Sequence, residues 1–331
     1  FSENIGQPSS AWQRGAALTF SPRTRTNTMP RWLLFSMISA LLFGAWAVVS
    51  KVTADSISAP LSQALLPIGM LPAALLAWRS PHCREGTDPR RGLLFAFITG
   101  LLGACGNVAF FSALHSGKAS VVVPMTGLYP LVTVLLARWF MKERLHGPQL
   151  VGIALAAGAI VLLSGETDLV RNPARWLQDF KPSSWIFASG VALLFWGFTG
   201  ATQKLASTRV SAEFSFIAFG VAFLPVSIYL IAREKFDVNL TVSEWFWMVL
   251  AGVLFGFASL VSFAAYRAGG KASIVTPLIA LYPAITVLLA VLFLREKIGG
   301  IEIAGIVLAL AGGAALSMEK ETRADPIENP S

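Results

Sequence analysis

Apolar runs of about twenty residues alternate with short polar segments along almost the whole chain. They fall at about 31–51, 57–78, 91–114, 119–139 and 147–164, then at about 184–204, 211–232, 244–267, 273–293 and 298–317. A hydrocarbon core takes about 20 mainly apolar helical residues to cross. None of the runs shows the apolar/polar alternation of a half-buried strand, and in lipid each must satisfy its own backbone, so the pattern predicts ten transmembrane helices. The polar stretch near 165–183, with Glu166, Asp168, Arg171, Arg175, Asp179 and Lys181, predicts a linker between two groups of five.

The two groups are copies of one unit. Gly117-Lys118-Ala119-Ser120, Tyr129-Pro130 and Lys142-Glu143-Arg144 recur as Gly270-Lys271-Ala272-Ser273, Tyr282-Pro283 and Arg295-Glu296-Lys297, at the offset of 153 that separates Tyr129 from Tyr282. At the same offset Pro124 matches Pro277, Thr133 matches Thr286, Trp32 matches Trp185, Gly44 matches Gly197, Lys51 matches Lys204, Pro72 matches Pro225 and Gly103 matches Gly256. Shared apolar composition would not align these polar and chain-breaking positions. The expected organisation is a tail at 1–30, one five-helix unit at 31–164, the linker at 165–183, a second unit at 184–317 and a polar tail at 318–331. Five is odd, so the second unit enters the membrane from the opposite side. The expected fold is an all-α polytopic membrane protein of ten transmembrane helices in two inverted five-helix repeats.

Composition agrees: the 331 residues are 55% hydrophobic and 13% charged, too few charges to solvate a globule of this size. The formal net charge of +8 does not point to nucleic acid, because the basic residues fall in short loops where membrane topology accounts for them. The side that would hold both termini carries nearly twice as many Lys and Arg as the other, which predicts cytosolic termini. Cys83 in a loop and Cys105 in an apolar run imply no disulfide framework. Residues 1–30 are Arg- and Ser-rich and acid-poor, and read either as an unstructured tail or as a transit-peptide remnant. The cell (inner) membrane is the expected location, with a plastid envelope as the alternative.

No Asp or Glu lies in the middle of a span, and His82, His115 and His146 all fall in loops or at span ends. That argues against a buried-acid proton relay and against acid–base hydrolysis at membrane depth. No Walker sequence suggests an ATP-driven pump. No metal site, cofactor or nucleic-acid partner is expected.

The groups present at depth are neutral and aromatic. Thr126, Tyr129 and Thr133 share one face of the fourth span, interrupted by Pro124 and Pro130, and Tyr282, Pro283 and Thr286 repeat the arrangement in the ninth. Paired interruptions at matching positions of inverted halves point to a transport site, with Pro130 and Pro283 as hinges. Ser39, Phe43, Trp46 and Ser50 form a stripe on the first span, matched on the sixth by Ala192, Trp196, Thr199 and Gln203. Rings with a few polar groups suit a cavity for a small organic solute, and packing against other helices is the competing reading. Asn107 reads first as an interhelical tie and second as a ligand contact. Ser259, Ser262 and Tyr266 make a further polar face on the eighth span. Lys118 and Lys271 read as snorkelling to lipid phosphate, or alternatively as attracting anionic solutes. The Lys142-Glu143-Arg144 and Arg295-Glu296-Lys297 triplets read as solvated loop charges.

Asn107, Phe110-Phe111, Ala113-Leu114, Gly117-x-Ala119-Ser120, Pro124, Pro130, Glu143 and Gly152, recurring as Gly270-x-Ala272-Ser273, Pro277, Pro283, Glu296 and Gly305, resemble the EamA-like branch of the drug/metabolite transporter superfamily. The resemblance implies a transporter of small organic metabolites, commonly an exporter, with a cavity lined by the first, third, fourth, sixth, eighth and ninth helices. It departs from the pattern at Asn107, whose repeat mate is Leu260, and in lacking the first-helix glutamate of the small multidrug relatives. The expectation is a secondary transporter working by alternating access through export, facilitated diffusion or exchange. Its expected solute-contact residues are Trp46, Tyr129, Thr133, Thr199, Gln203, Tyr282, Thr286, Asn107 and Ser259. Its partners are a small-molecule substrate and the lipid bilayer, as monomer or homodimer. The alternatives are a non-transporting membrane scaffold or lipid-site enzyme and, within transport, a proton-coupled drug exporter.

Overall fold

The computed structural model describes residues 29–132, 135, 147–164, 184–233, 239–268, 275, 278–316 and 318. Its helices are α1 (Arg31–Ala54), α2 (Ala59–Arg79), α3 (Pro89–Ser116), α4 (Ala119–Thr126), α5 (Gly147–Ser164) and α6 (Ser184–Ser207), followed by α7 (Ala212–Val221), α8 (Phe223–Arg233), α9 (Val242–Arg267), α10 (Tyr282–Phe293) and α11 (Gly300–Leu316). The one β pairing among the described residues is an isolated bridge between Gly86 and Val210. Among the described residues five helices are long and apolar enough to cross a membrane: Arg31–Ala54, Ala59–Arg79, Pro89–Ser116, Ala212–Arg233 and Val242–Arg267. Ala119–Val132, Leu150–Leu163, Ser184–Thr199, Tyr282–Phe293 and Gly300–Ala315 are shorter apolar helices. The chain is a multi-pass, membrane-embedded helical protein. Its outward faces carry side chains such as Leu71, Leu76, Ile228 and Phe293, more than half exposed as suits contact with acyl chains.

Local sequence sets the helix ends. Pro89 opens α3, where its missing N–H costs nothing, and Asp88 accepts from the Arg91 N–H. Ser211 caps α7 through the Phe214 N–H, and Thr241 with Glu244 makes a reciprocal capping box at α9. Between α7 and α8 the chain turns once at Ala222. Pro225 explains the break, because its ring displaces the carbonyl four residues earlier, at Val221, where α7 ends.

Glycines let the helices meet across the repeats. A Cβ on Gly69 of α2 would come within 2.5 Å of Gly252 Cα of α9, so the two backbones touch where they cross. In α5 and α11, Gly305 lies against Leu162 and Leu163, and Gly312 against the Ala156 backbone. Two further contacts are the same contact with the repeats exchanged. Gly44 of α1 sits against Ile285 and the Tyr282 carbonyl, and Gly197 of α6 sits against Val132 and the Tyr129 carbonyl. Reciprocity of this kind is what a two-fold relation between the repeats produces.

Candidate functional site at the paired helix breaks

In the first repeat the helix that starts at Ala119 stops at Thr126, turns through Gly127 and Leu128, and resumes at Tyr129-Pro130. In the second repeat the chain turns at Ala280 and Leu281 and resumes at Tyr282-Pro283, the same positions 153 residues on. The local bonds match as well. Leu128 N donates to Met125 O (3.3 Å) and Leu281 N to Leu278 O (3.3 Å), while Leu131 N donates to Leu128 O (2.8 Å) and Ala284 N to Leu281 O (3.0 Å). These are tighter i→i−3 bonds in place of i→i−4 bonds. The prolines explain them. A proline donates no N–H, so the helical donor that would meet the Thr126 or Ile279 carbonyl is missing, and the proline sits in the first turn of the resumed helix instead.

The two breaks lie against each other. A Cβ on Gly127 would stand 2.7 Å from the Pro283 ring, so glycine is what lets the turns touch. The Thr126 hydroxyl donates to the Val122 carbonyl (2.9 Å) and lies within hydrogen-bonding reach of the Tyr282 phenol. The phenols of Tyr129, Tyr266 and Tyr282 are close enough to interact through space. Tyr282 is buried and Tyr129 is half-buried.

Beside the breaks stands a cluster of rings. Trp46 is fully buried, stacked on Phe110 at 5.0 Å and tilted against Phe255 at 5.0 Å. Phe43 reaches both Trp46 and Tyr282, and Phe110 reaches Trp196. This joins the aromatic stripes of α1 and α6 into one core with α3 and α9. Trp46 therefore packs as a core residue, yet its indole N–H has no hydrogen-bond partner.

The remaining sequence-selected residues separate by what their polar atoms meet. Thr199 donates to the Trp196 carbonyl (2.7 Å) and Thr286 to the carbonyls of Gly44 and Tyr282 (3.2 Å each), so both hydroxyls are occupied within or between helices. Gln203 is half-buried on α6 and Ser259 is buried on α9. Asn107 is wholly buried on α3, and neither its amide nitrogen nor its oxygen has a partner. The expected interhelical tie at Asn107 is not made. An unpaired buried carboxamide costs about 1–3 kcal/mol. Gln63 of α2 is in the same condition and escaped the sequence reading, although an amide inside an apolar run was visible there. Thr133, Pro277, Lys271 and the Lys142-Glu143-Arg144 triplet lie outside the described residues, as do the linker and both tails. Among the described residues no group of three or more His, Cys, Asp or Glu comes together.

Two loop readings are corrected. Lys118 does not reach out to lipid phosphate: its ammonium pairs with Glu302 (2.8 Å) and donates to the Lys297 carbonyl (3.0 Å). Glu296 is not a free loop charge, because its two carboxylate oxygens accept from the backbone N–H groups of Ala119 and Ser120, each at 2.9 Å. The orphan N–H groups of a helix start attract a carboxylate, and the Lys118 side chain at the cap position offers no acceptor. The repetition of Glu at 143 and 296 was the signal that this residue does more than solvate a loop.

Comparison with known proteins agrees with this architecture. The EamA-like transporter family model matches residues 30–165 and again 183–318, and the chain belongs to that family. A Sinorhizobium protein described as an uncharacterized transporter is 28% identical over 134 residues, which cover 40% of this chain and 95% of that one. That relative is thus about one repeat long. An uncharacterized protein of Methanocaldococcus jannaschii is 43% identical over 72 residues, 22% of this chain, and the match spans about half (53%) of that relative. A protein of known crystal structure shares the fold, with a TM-score of 0.59 over 87% of this chain and 96% of that one at 19% identity.

Proposed function

We propose that this membrane transporter moves a small organic metabolite by alternating access, with ten spans arranged as two inverted five-helix repeats that rock about the stacked helix breaks. The observation that carries the reading is the pair of breaks before Tyr129-Pro130 and Tyr282-Pro283, identical in their i→i−3 bonds and touching at Gly127 and Pro283. Interrupted helices at matching positions of two repeats are where transporters of this construction bind solute. Tyr129 and Tyr282 present phenols to the path, Pro130 and Pro283 serve as hinges, and the unpaired amides of Asn107 and Gln63 with the Trp46 N–H offer neutral donors and acceptors. Gln203, Ser259, Thr199 and Thr286 complete the surroundings, and Thr133 belongs to the proposal by its repeat position alone. No acidic side chain stands at depth among the described residues, which favours facilitated diffusion or exchange over proton-driven export. Both termini face the cytosol in this reading, as the Lys and Arg bias favours.

The test is reconstitution into liposomes with a panel of amino acids, sugars, nucleosides and organic phosphates. Saturable flux of at least one class, insensitive to a pH gradient, is the expected result. No flux of any class above protein-free liposomes, with the protein folded, would contradict it.

A further inference from the structure

On the face that carries residues 117–118 and 295–299, side chains of the second repeat hold the start of α4 in the first. The Glu296 carboxylate bridges the Ala119 and Ser120 N–H groups, one oxygen to each, from 176 and 177 residues away in the chain. Lys118, the residue just before α4, is held by Glu302 and the Lys297 carbonyl. The residue that aims Glu296 is strained: Arg295 has φ 54°, the one non-glycine residue among those described with a positive φ. A left-handed conformation at a residue with a Cβ costs on the order of 1 kcal/mol and persists only where the surroundings enforce it. The helix held in this way is short. It runs from Ala119 to Thr126 and ends at the Gly127 turn that touches Pro283, so the clasp and the break stand at the two ends of one short helix.

We propose that Glu296, presented by the strained Arg295 turn and backed by the Lys118–Glu302 pair, is the latch that closes this mouth of the transport path. The inference rests on the transport reading above. Closing gives two charge-assisted hydrogen bonds and one ion pair, while opening returns those groups to water and relieves the Arg295 turn, which offsets part of that gain. Glu296 is a positioning residue: it holds the half-helix that leads to Tyr129 and does not itself meet solute.

The test uses the full chain in liposomes with Cys83→Ser, Cys105→Ser and Ser120→Cys, since Ser120 lies wholly buried directly beneath the clasp. A membrane-impermeant maleimide applied to each side in turn labels position 120 slowly while the latch holds. Glu296→Ala raises the labelling rate from the latch face at least about tenfold, the loss expected from one charge-assisted hydrogen bond alone, and Glu296→Gln raises it less. In a second arm, Lys118→Cys with Glu302→Cys, joined by a short reducible thiol cross-linker, stops solute exchange until reduction restores it. This arm leaves Glu296 in place and stands even where Glu296→Ala fails to fold. An unchanged labelling rate in a folded Glu296→Ala or Glu296→Gln protein, or full exchange through the cross-linked protein, overturns the latch. Labelling is read without any solute, so a latch that opens in a protein showing no flux would separate failure of the transport reading from failure of this one.

Discussion

Thr286 donates its hydroxyl to the carbonyl oxygen of Gly44, 3.2 Å away and 242 residues distant in the chain, and shares it with the Tyr282 carbonyl one turn back. The bond exists because residue 44 has no side chain: a Cβ there would come within 2.6 Å of Ile285. The exchanged contact at Gly197 is as tight, with Val132 within 2.3 Å of the same added atom. The helix just past each break is thus pressed against a glycine of the other repeat.

Gly44→Ala and Gly197→Ala are expected to destabilise by about 1–3 kcal/mol each through overpacking. Gly190→Ala, on the same helix as Gly197 but with nothing within 4 Å, is the control and is expected to be neutral or to gain up to about 1 kcal/mol from helix propensity. Thermal unfolding midpoints in detergent separate the cases. Equal midpoints for all three variants would show that the close approach carries no energy.

Asn107→Leu, which substitutes the residue type found at the repeat mate Leu260, is expected to raise the unfolding midpoint of the solute-free protein. It removes a buried carboxamide that has no partner and keeps a similar volume. The same variant should lose solute-induced thermal stabilisation, since a ligand that binds the folded state raises its stability by mass action. A fall of about 1 kcal/mol or more in the solute-free protein would mean that the amide is satisfied after all.

The repeat, the helical class and the Tyr-Pro interruptions were legible because each depends on residue types at fixed spacing: apolar runs, prolines, and polar landmarks 153 apart. Side-chain fates were less legible, because they depend on which helices meet. Trp46 and Thr199 are repeat mates, yet Trp46 lies buried among rings while the Thr199 hydroxyl closes on its own helix. Charge type alone made Glu296 look solvated and Lys118 look bound for lipid phosphate. Only the approach of the 295–299 turn to the start of α4 shows that each has a partner in the other repeat.

A small pH effect is expected at the loop joining α2 and α3. The hydrogen bond that His82 donates to the Glu85 carboxylate, with that carboxylate's charge, raises the His82 pKa above 6.5, and the same bond lowers the Glu85 pKa below 4.5. Arg267 at the end of α9 also reaches Glu85, tying the loop to the second repeat. A raised His pKa stabilises fully below 6.5 and ceases to do so as pH rises through the folded value. A lowered Glu pKa stabilises above 4.5 and ceases to do so as pH falls through the folded value. The midpoint difference between wild type and His82→Gln should therefore be largest between the lowered Glu85 pKa and 6.5, and should vanish at alkaline pH. The groups are exposed, so the difference is small and shrinks with salt. A difference that persists unchanged into the alkaline range would assign it to packing.

The paired breaks are tested most directly by solute counterflow in liposomes, comparing wild type with the Pro130→Ala, Pro283→Ala double variant for whichever solute the panel identifies. The substitutions supply the N–H groups missing at 130 and 283, which lets each helix run through its turn. The variant should fold with an unfolding midpoint at or above that of wild type, while exchange falls by about tenfold or more, ~1.4 kcal/mol in the transition barrier. Exchange at the wild-type rate through a folded double variant would contradict the central role given to the Tyr129-Pro130 and Tyr282-Pro283 breaks.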